Sequence, residues 1–356
     1  MSHRITKLED LFLNCGLDAY IVARSKNIQY YTGSIGGSFL LVIPDREPLL
    51  LVNPLDENVT RDQSRGCNVE TYDSAGLLNK FADTLRWSHS TSLGFDDLPL
   101  SLLNRLEKRL PEIAFRQDQD VVWAQRSVKD ARELKLMSEA GRLANVAMEA
   151  LVKVLVVGEK EHLLAAEASY AMMRDGAEAH AFEFTVGSGP RSAYPHASST
   201  SRRIKRGDLI VVDIGASHCG YCSDITRTFI AGKPDAKMAE IYETVSRSHD
   251  AAYSAMKPGA NCRDVDTASR KVISDAGYGR NYTHSLGHGV GLEIHEPPSV
   301  SQTSNEILRN GNVVSNEPGI YMHGFGGVRI EDTILITKSG PRRLTDYPRD
   351  MGTATF

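Results

Sequence analysis

Cysteine is scarce in this sequence. The five present, at positions 15, 67, 219, 222 and 262, are odd in number and too sparse for a disulfide framework. Cys219-Gly-Tyr-Cys222 has C-x-x-C spacing, but no second such pair exists to complete a zinc site. It falls in a predicted hairpin and reads as incidental. Long apolar runs are absent too: nothing approaches the ~20 residues of a membrane span. Nor is there a surplus of positive charge. With 41 Lys+Arg against 45 Asp+Glu the net charge is -4, which implies no broad basic surface for nucleic acid or anionic lipid. The stretch Met1-Ser-His-Arg-Ile-Thr-Lys7 lacks the apolar core of a signal peptide, so the expected location is the cytoplasm. Asn58-Val-Thr60 and Asn281-Tyr-Thr283 match the glycosylation pattern, which a cytoplasmic chain would not use.

What remains is ordinary globular composition, 41% hydrophobic and 24% charged, on a 356-residue chain long enough for two or three domains. The first part alternates helix and strand signals. Ile5 to Leu13, Leu77 to Trp87 and Leu100 to Leu110 have helical spacing. Ala19 to Val22, Val69 to Tyr72 and Ile113 to Phe115 read as strands. Phe39 to Ile43 and Leu49 to Val52 flank Pro44-Asp-Arg-Glu47 as a hairpin would. These signals predict an α/β layer with a mixed sheet and no chemical constellation. Asp96-Asp97 reads as a turn or cap, and His89 as a solvated loop residue. The boundary falls near 120–128, giving domains over 1–123 and 124–356.

The second part opens with a capping box, Asp130-Ala-Arg-Glu133, before a helix from Ala131 to about Val154. Leu136, Ala144, Met148 and Leu151 can line one stripe of it. Further helices are predicted over Glu161 to Arg174, Ala236 to Met256 and Asp264 to Ala276. Strands are predicted over Phe182 to Val186, Val211 to Ile214, Asp224 to Ile230, Val313 to Ile320 and Val328 to Thr337.

Four carboxylates and one imidazole stand out here: Asp213, Asp224, His288, Glu317 and Glu331. Each lies beside glycine, proline or a short apolar run. Charged side chains avoid such places unless they are paired or hold a metal. A hairpin turn can bring Asp213 and Asp224 together, and the loop Gly324-Phe-Gly-Gly327 can do the same for Glu317 and Glu331. Four carboxylates balance two divalent cations in charge. An oxygen-rich set with one histidine suits manganese or cobalt, with zinc possible. Two such ions ~3.5–4 Å apart can share a water and lower its pKa. His196 and His295, in Pro-flanked loops, are candidates to stabilise an oxyanion. Gly287-His-Gly-Val-Gly291 lacks dinucleotide-loop spacing, and Ser299 stands where an H-E-x-x-H motif needs its second histidine. His284 is close enough to His288 to stand behind it.

Read together, these segments resemble the metallopeptidases of the pita-bread fold, in the Xaa-Pro branch of prolidase and aminopeptidase P. The matching text is Val211-Val-Asp213-Ile-Gly-Ala, Gly220-Tyr-Cys-Ser-Asp224-Ile-Thr-Arg-Thr-Phe229, Ser285-Leu-Gly-His288-Gly-Val-Gly-Leu-Glu-Ile-His295-Glu296, Asn316-Glu317-Pro-Gly-Ile-Tyr321 and Gly327-Val-Arg-Ile-Glu331-Asp332. Tyr194-Pro195-His196 matches the family's substrate-side histidine. Leu17-Asp-Ala19 and Asn27-Ile-Gln-Tyr-Tyr-Thr-Gly33 resemble the smaller domain of this branch.

The resemblance implies an α+β chain: a C-terminal pita-bread domain behind a smaller α/β domain, creatinase N-terminal-like and ribonuclease-H-like. That first domain would act in closing the pocket and in dimerisation. The resemblance further implies that Asp213 holds one metal, that Asp224 and Glu331 bridge both, and that His288 and Glu317 complete the shells. Glu317 would also carry a proton to the leaving nitrogen. His196 and His295 would bind the scissile carbonyl and its oxyanion, and Arg329 would brace Glu331 and the substrate side of the pocket. The implied substrates are short peptides with proline after the scissile bond, and the implied assembly is a homodimer.

One departure matters. Leu308-Arg-Asn-Gly-Asn312-Val replaces the family's usual Leu-x-Pro-Gly-Met, and no inserted Arg segment separates Glu296 from Glu317. Arg309 could substitute as the clamp for a substrate carboxylate. Dipeptidase is the expected activity, with aminopeptidase P-type cleavage and a small non-peptide substrate as the alternatives.

Overall fold

The computed structural model describes residues 2–73 and 76–356. The chain divides into two units, Met1–Arg126 and Ser127–Phe356. The expected first domain, 1–123, includes Met1, Ser74 and Ala75, which lie outside the described residues. Among the described residues, no helix is long and apolar enough to cross a membrane. All five cysteines are free thiols.

The first unit is a six-stranded sheet with helices packed on it. Its order is Asn68–Thr71, Leu49–Val52, Gly37–Val42, Ala19–Val22, Ser92–Phe95, Ala114–Gln117. Gly37–Val42 is antiparallel to both neighbours, and the remaining pairs are parallel, so the sheet is mixed. Its helices bury one stripe each. In Leu100–Arg109, Leu102 and Leu106 sit one turn apart on the core face. Asp96 anchors a helix start, but one distant in sequence. Its Oδ1 accepts from Ala23 N at 2.7 Å, and its Oδ2 accepts from Arg24 N at 3.2 Å and Asn27 Nδ2 at 2.7 Å. Two of these donors stand just ahead of Ser25–Thr32, and the third is a side chain in its first turn.

The second unit begins at helix Ala131–Val154, whose capping box forms: Asp130 Oδ1 accepts from Glu133 N, and Glu133 Oε2 from Asp130 N. Its buried stripe runs through Met137, Ala140, Ala144, Ala147 and Leu151. The expected Leu136 is only half-buried, displaced from that stripe by Met137. Among the described residues, four β-layers follow from the chain's alternation of apolar runs and glycines, including a trio ordered Tyr221–Cys222, Ala216–His218, Ala179–His180. Another is an antiparallel trio with Leu209–Ile214 between Thr185–Ser188 and Ile225–Ile230. A five-stranded sheet runs Glu296–Val300, Gly287–Gly289, Val313–Asn316, Asp332–Thr337, Gly340–Arg343. A hairpin pairs Gly319–Met322 with Gly326–Arg329. Helices Glu161–Arg174, Ala236–Ala255, Cys262–Asp275 and the short Met351–Ala354 also belong to this unit.

Three expected strands are corrected, one of them the run from Val328 to Thr337, which is two strands in different sheets, Gly326–Arg329 and Asp332–Thr337, broken at Ile330-Glu331. The strand placed over Phe182 to Val186 starts at Thr185, where pairing with Asp213 begins. The run from Val313 to Ile320 is two strands in different sheets, separated at Glu317-Pro318. Proline lacks the N–H that a continuous ladder needs.

Candidate metal centre

The register of one hairpin places the first two carboxylates. Thr226 lies opposite Asp213 in the pairing of Leu209–Ile214 with Ile225–Ile230. Asp224, two residues before Thr226, therefore shares a face with Asp213 as its diagonal neighbour. The turn between them needs Gly215, where a Cβ would meet Ser223 O at 2.2 Å.

His288 sits at the centre of a three-residue strand between two others. Glycines flank it for a steric reason: a Cβ on Gly287 would lie 2.2 Å from Ser315 O, and one on Gly289 2.3 Å from Pro297 O. His288 N donates to Ser315 Oγ at 3.0 Å, and Ser315 Oγ donates to Glu317 Oε1 at 2.9 Å. The imidazole Nδ1 lies 3.1 Å from Gly289 O and donates to it. That bond fixes the ring and aims Nε2 at the carboxylates. Nε2 is 3.1 Å from Glu317 Oε1 and 3.8 Å from Asp224 Oδ2.

Glu331 closes the group. Its Oε2 accepts from Thr226 Oγ1 at 2.6 Å. Donor atoms of Asp224, His288 and Glu331 all lie within 4.8 Å of one another. Three buried oxygens here have no hydrogen-bond partner: Asp213 Oδ1, Asp224 Oδ1 and Glu331 Oε1. Buried carboxylate oxygens without donors are costly. Together with one imidazole, they form the donor set of a hard or borderline divalent cation.

The electrostatics show the same deficit of positive charge. Burial, followed by repulsion from the neighbouring acids, pushes Asp224 and Glu331 well above the usual carboxylate range. Burial also raises Asp213, although Arg329 opposes it. For Glu317, burial is overcome by the hydrogen bond and charge of His288, which bring it down to about 2. Burial works against a charged His288, but Glu317 raises it overall.

Arg329 was expected to brace Glu331. Its Nη2 donates to Asp213 Oδ2 at 2.6 Å, and it is linked to Glu331 by charge and through Thr226, whose Oγ1 accepts from Arg329 Nε at 3.0 Å. The hairpin register dictates this. Arg329 faces Gly319, and a Cβ there would meet Tyr321 Oη at 2.6 Å. The missing side chain lets the Tyr321 hydroxyl accept from Arg329 Nη1 at 3.0 Å. That hydroxyl in turn lies 2.9 Å from His284 Nε2 and donates to it. His284 Nδ1 donates to Ser285 O, which leaves Nε2 as the acceptor, and burial lowers the pKa of this imidazole. Tyr321, Thr226 and Ser315 carried no sequence signal of this kind, being neutral residues in or beside predicted strands.

His196 and His295 are exposed, and both line the cavity of ≈ 590 Å³ that holds all five donors. The His295 ring lies 4.3 Å from that of His288, edge to face. Burial and the His288 charge lower its pKa. Phe182, Phe184 and Ile294 supply apolar wall, and Glu183 stands at the rim. Arg309 is exposed and does not line this cavity. Cys219 is exposed and Cys222 buried; neither lines it.

Fold and site together define a metallopeptidase. The chain belongs to metallopeptidase family M24, whose model matches residues 135–338, and residues 4–128 match the Creatinase/Prolidase N-terminal domain. Its second unit has the family's pita-bread fold. A relative from Pyrococcus horikoshii, named Xaa-Pro dipeptidase, is 37% identical over 99% of this chain and 99% of its own length. The solved prolidase of Pyrococcus horikoshii OT3 superposes with a TM-score of 0.92 at 37% identity, covering 98% of this chain and 99% of that one. An Xaa-Pro dipeptidase from Bacillus anthracis reaches 0.94 at 31% identity, covering 99% of each.

Proposed function

We propose that the enzyme is an Xaa-Pro dipeptidase working with two divalent ions, manganese or cobalt, with zinc as the third choice. Asp213, Asp224, His288, Glu317 and Glu331 would hold them. The observation that carries this reading is the trio of donorless buried carboxylate oxygens facing one oriented imidazole. When bound, the ions supply Lewis acidity and lower the pKa of water.

The chain's own residues do the rest. Ser315 Oγ donates to Glu317 Oε1 and orients the carboxylate, which would take a proton from the attacking water and pass it to the leaving nitrogen. Proline's nitrogen carries no hydrogen in the peptide, so it can leave only after gaining that proton. His196 and His295 donate to the carbonyl oxygen as it gains charge. Arg329 holds Asp213 in place, and the aromatic wall keeps bulk water from the reacting bond. Catalysis is assigned to the second unit, within the proposed domain 124–356, because every residue named here lies in it.

One observation favours a second reading, cleavage of longer Xaa-Pro peptides as an aminopeptidase. Among the described residues lining the cavity, Arg329 is the only Arg or Lys, and it is committed to Asp213. A dipeptide carboxylate therefore meets imidazoles there and no uncommitted strong cation. Rates on Leu-Pro and on Leu-Pro-Gly with added manganese decide between the two. Faster turnover of the dipeptide supports the dipeptidase, faster turnover of the tripeptide supports the alternative, and cleavage of neither ends both.

A homodimer, supported by the resemblance, and a cytoplasmic location belong to the same proposal. Sedimentation showing twice the 39.1 kDa chain mass tests the first part, and cell fractionation the second.

A further inference from the structure

His196, itself exposed, stands on the partly buried stretch 189–199, whose base is anchored by a fully buried carboxylate. Glu161, the first residue of helix Glu161–Arg174, is 0% exposed. Its Oε1 accepts from Ser188 N at 2.8 Å and from Ser188 Oγ at 2.7 Å. Its Oε2 accepts from Thr200 N at 3.0 Å, Thr200 Oγ1 at 2.5 Å and Arg191 Nε at 3.4 Å. Ser188 and Thr200 bound the stretch on either side, so one carboxylate ties its two ends together.

The tie is reinforced. Arg202 Nη1 donates to Ser188 Oγ at 2.5 Å and to Asp208 Oδ2 at 2.6 Å. Within the stretch, Ser192 Oγ accepts from Gly327 N at 2.9 Å, and Pro195 O accepts from Arg329 Nη1 at 3.1 Å. A carboxylate out of contact with water must find its donors in the protein. Here the donors, Ser188, Arg191 and Thr200, belong to the loop and its two boundary residues. Holding both ends of a loop removes most of its freedom, and so limits where the imidazole it carries can go.

We infer that Glu161 is a positioning residue for His196, acting by joining Ser188 to Thr200. The inference rests on the proposed role of His196 at the scissile carbonyl. Glu161→Gln keeps the volume but replaces one acceptor oxygen with a donor. Thr200→Val removes a single hydroxyl and serves where the first variant fails to fold. Both are measured alone and combined with His196→Ala, on Leu-Pro with manganese.

In the otherwise native enzyme, Glu161→Gln is expected to lower kcat by about 10- to 100-fold. Thr200→Val lowers it less, in the same direction. Manganese affinity stays unchanged, and neither variant adds a loss in the His196→Ala background. Equal losses in both backgrounds, or a fall in manganese affinity that accounts for the rate, overturn the inference. Hydrogen exchange reads the tie without catalysis. Amides of 189–199 should exchange faster in Thr200→Val while those of 209–214 and 225–230 do not change. Uniform acceleration, or none, overturns it. A native enzyme that cleaves no Xaa-Pro peptide sinks the proposed function, and the exchange measurement still decides whether Glu161 holds the loop.

Discussion

Arg329 and Asp213 are joined at 2.6 Å, with only 4% and 17% of their side chains exposed. Removing one partner of such a pair leaves the other charge buried. Arg329→Ala is therefore expected to cost the metal-free protein about 3–5 kcal/mol. Arg329→Lys should recover part of this, because an ammonium cannot serve Asp213, Thr226, Tyr321 and Pro195 in one fixed fork. Urea unfolding of chelator-treated protein checks both. A loss below about 1 kcal/mol, the range of an exposed pair, would contradict the burial.

Stability with pH should depend on whether metal is present. Burial and neighbouring acids raise Asp224 and Glu331 in the folded, metal-free state. A carboxyl raised on folding contributes its full stability below its unfolded value, about 4, and loses it as pH climbs through the folded value. The metal-free protein thus gives up stability towards neutral pH, where both groups must ionise side by side. A bound divalent ion removes that penalty in exchange for released protons. The gap in Tm between manganese-loaded and chelator-treated protein is expected to widen from about pH 5 to about pH 8. A gap that stays constant or narrows contradicts this.

Thr226 ties two parts of the centre together with one hydroxyl. It donates to Glu331 Oε2 and accepts from Arg329 Nε. Thr226→Val keeps the shape and removes both bonds. Manganese affinity should fall by about 10- to 100-fold, as when outer partners of metal ligands are removed. Titration calorimetry measures it, and unchanged affinity would mean that Glu331 needs no orienting partner.

Gly287 has a backbone carbonyl, Ser315 O, where its side chain would be. Gly287→Ala must push the His288 strand away from Val313–Asn316. Overpacking of this kind costs about 1–3 kcal/mol. Because the displaced strand carries His288, metal affinity should fall along with Tm. An alanine variant with native affinity would show that the two strands can separate without moving the imidazole.

The sequence signalled the five donors because charge beside glycine or at the end of an apolar strand is chemically conspicuous. Asp213 after Leu-Ile-Val-Val and His288 between two glycines are of that kind. What it concealed was the partner of each. Arg329 grips Asp213 because the register puts Gly319 opposite it and makes room for Tyr321. No local pattern encodes that register. The helix Ser25–Thr32 went unread for a similar reason. Its start is held by Asp96, about 70 residues away, and an anchor supplied across the fold leaves no trace beside the helix. The sheet change at Pro318 could have been read, since proline inside a predicted strand argues against continuing it.

The most direct measurement is Leu-Pro hydrolysis by metal-stripped protein titrated with manganese. Activity should rise from nothing and level off at two ions per chain. Saturation at one ion, or full turnover with none, would contradict a centre built by Asp213, Asp224, His288, Glu317 and Glu331 together.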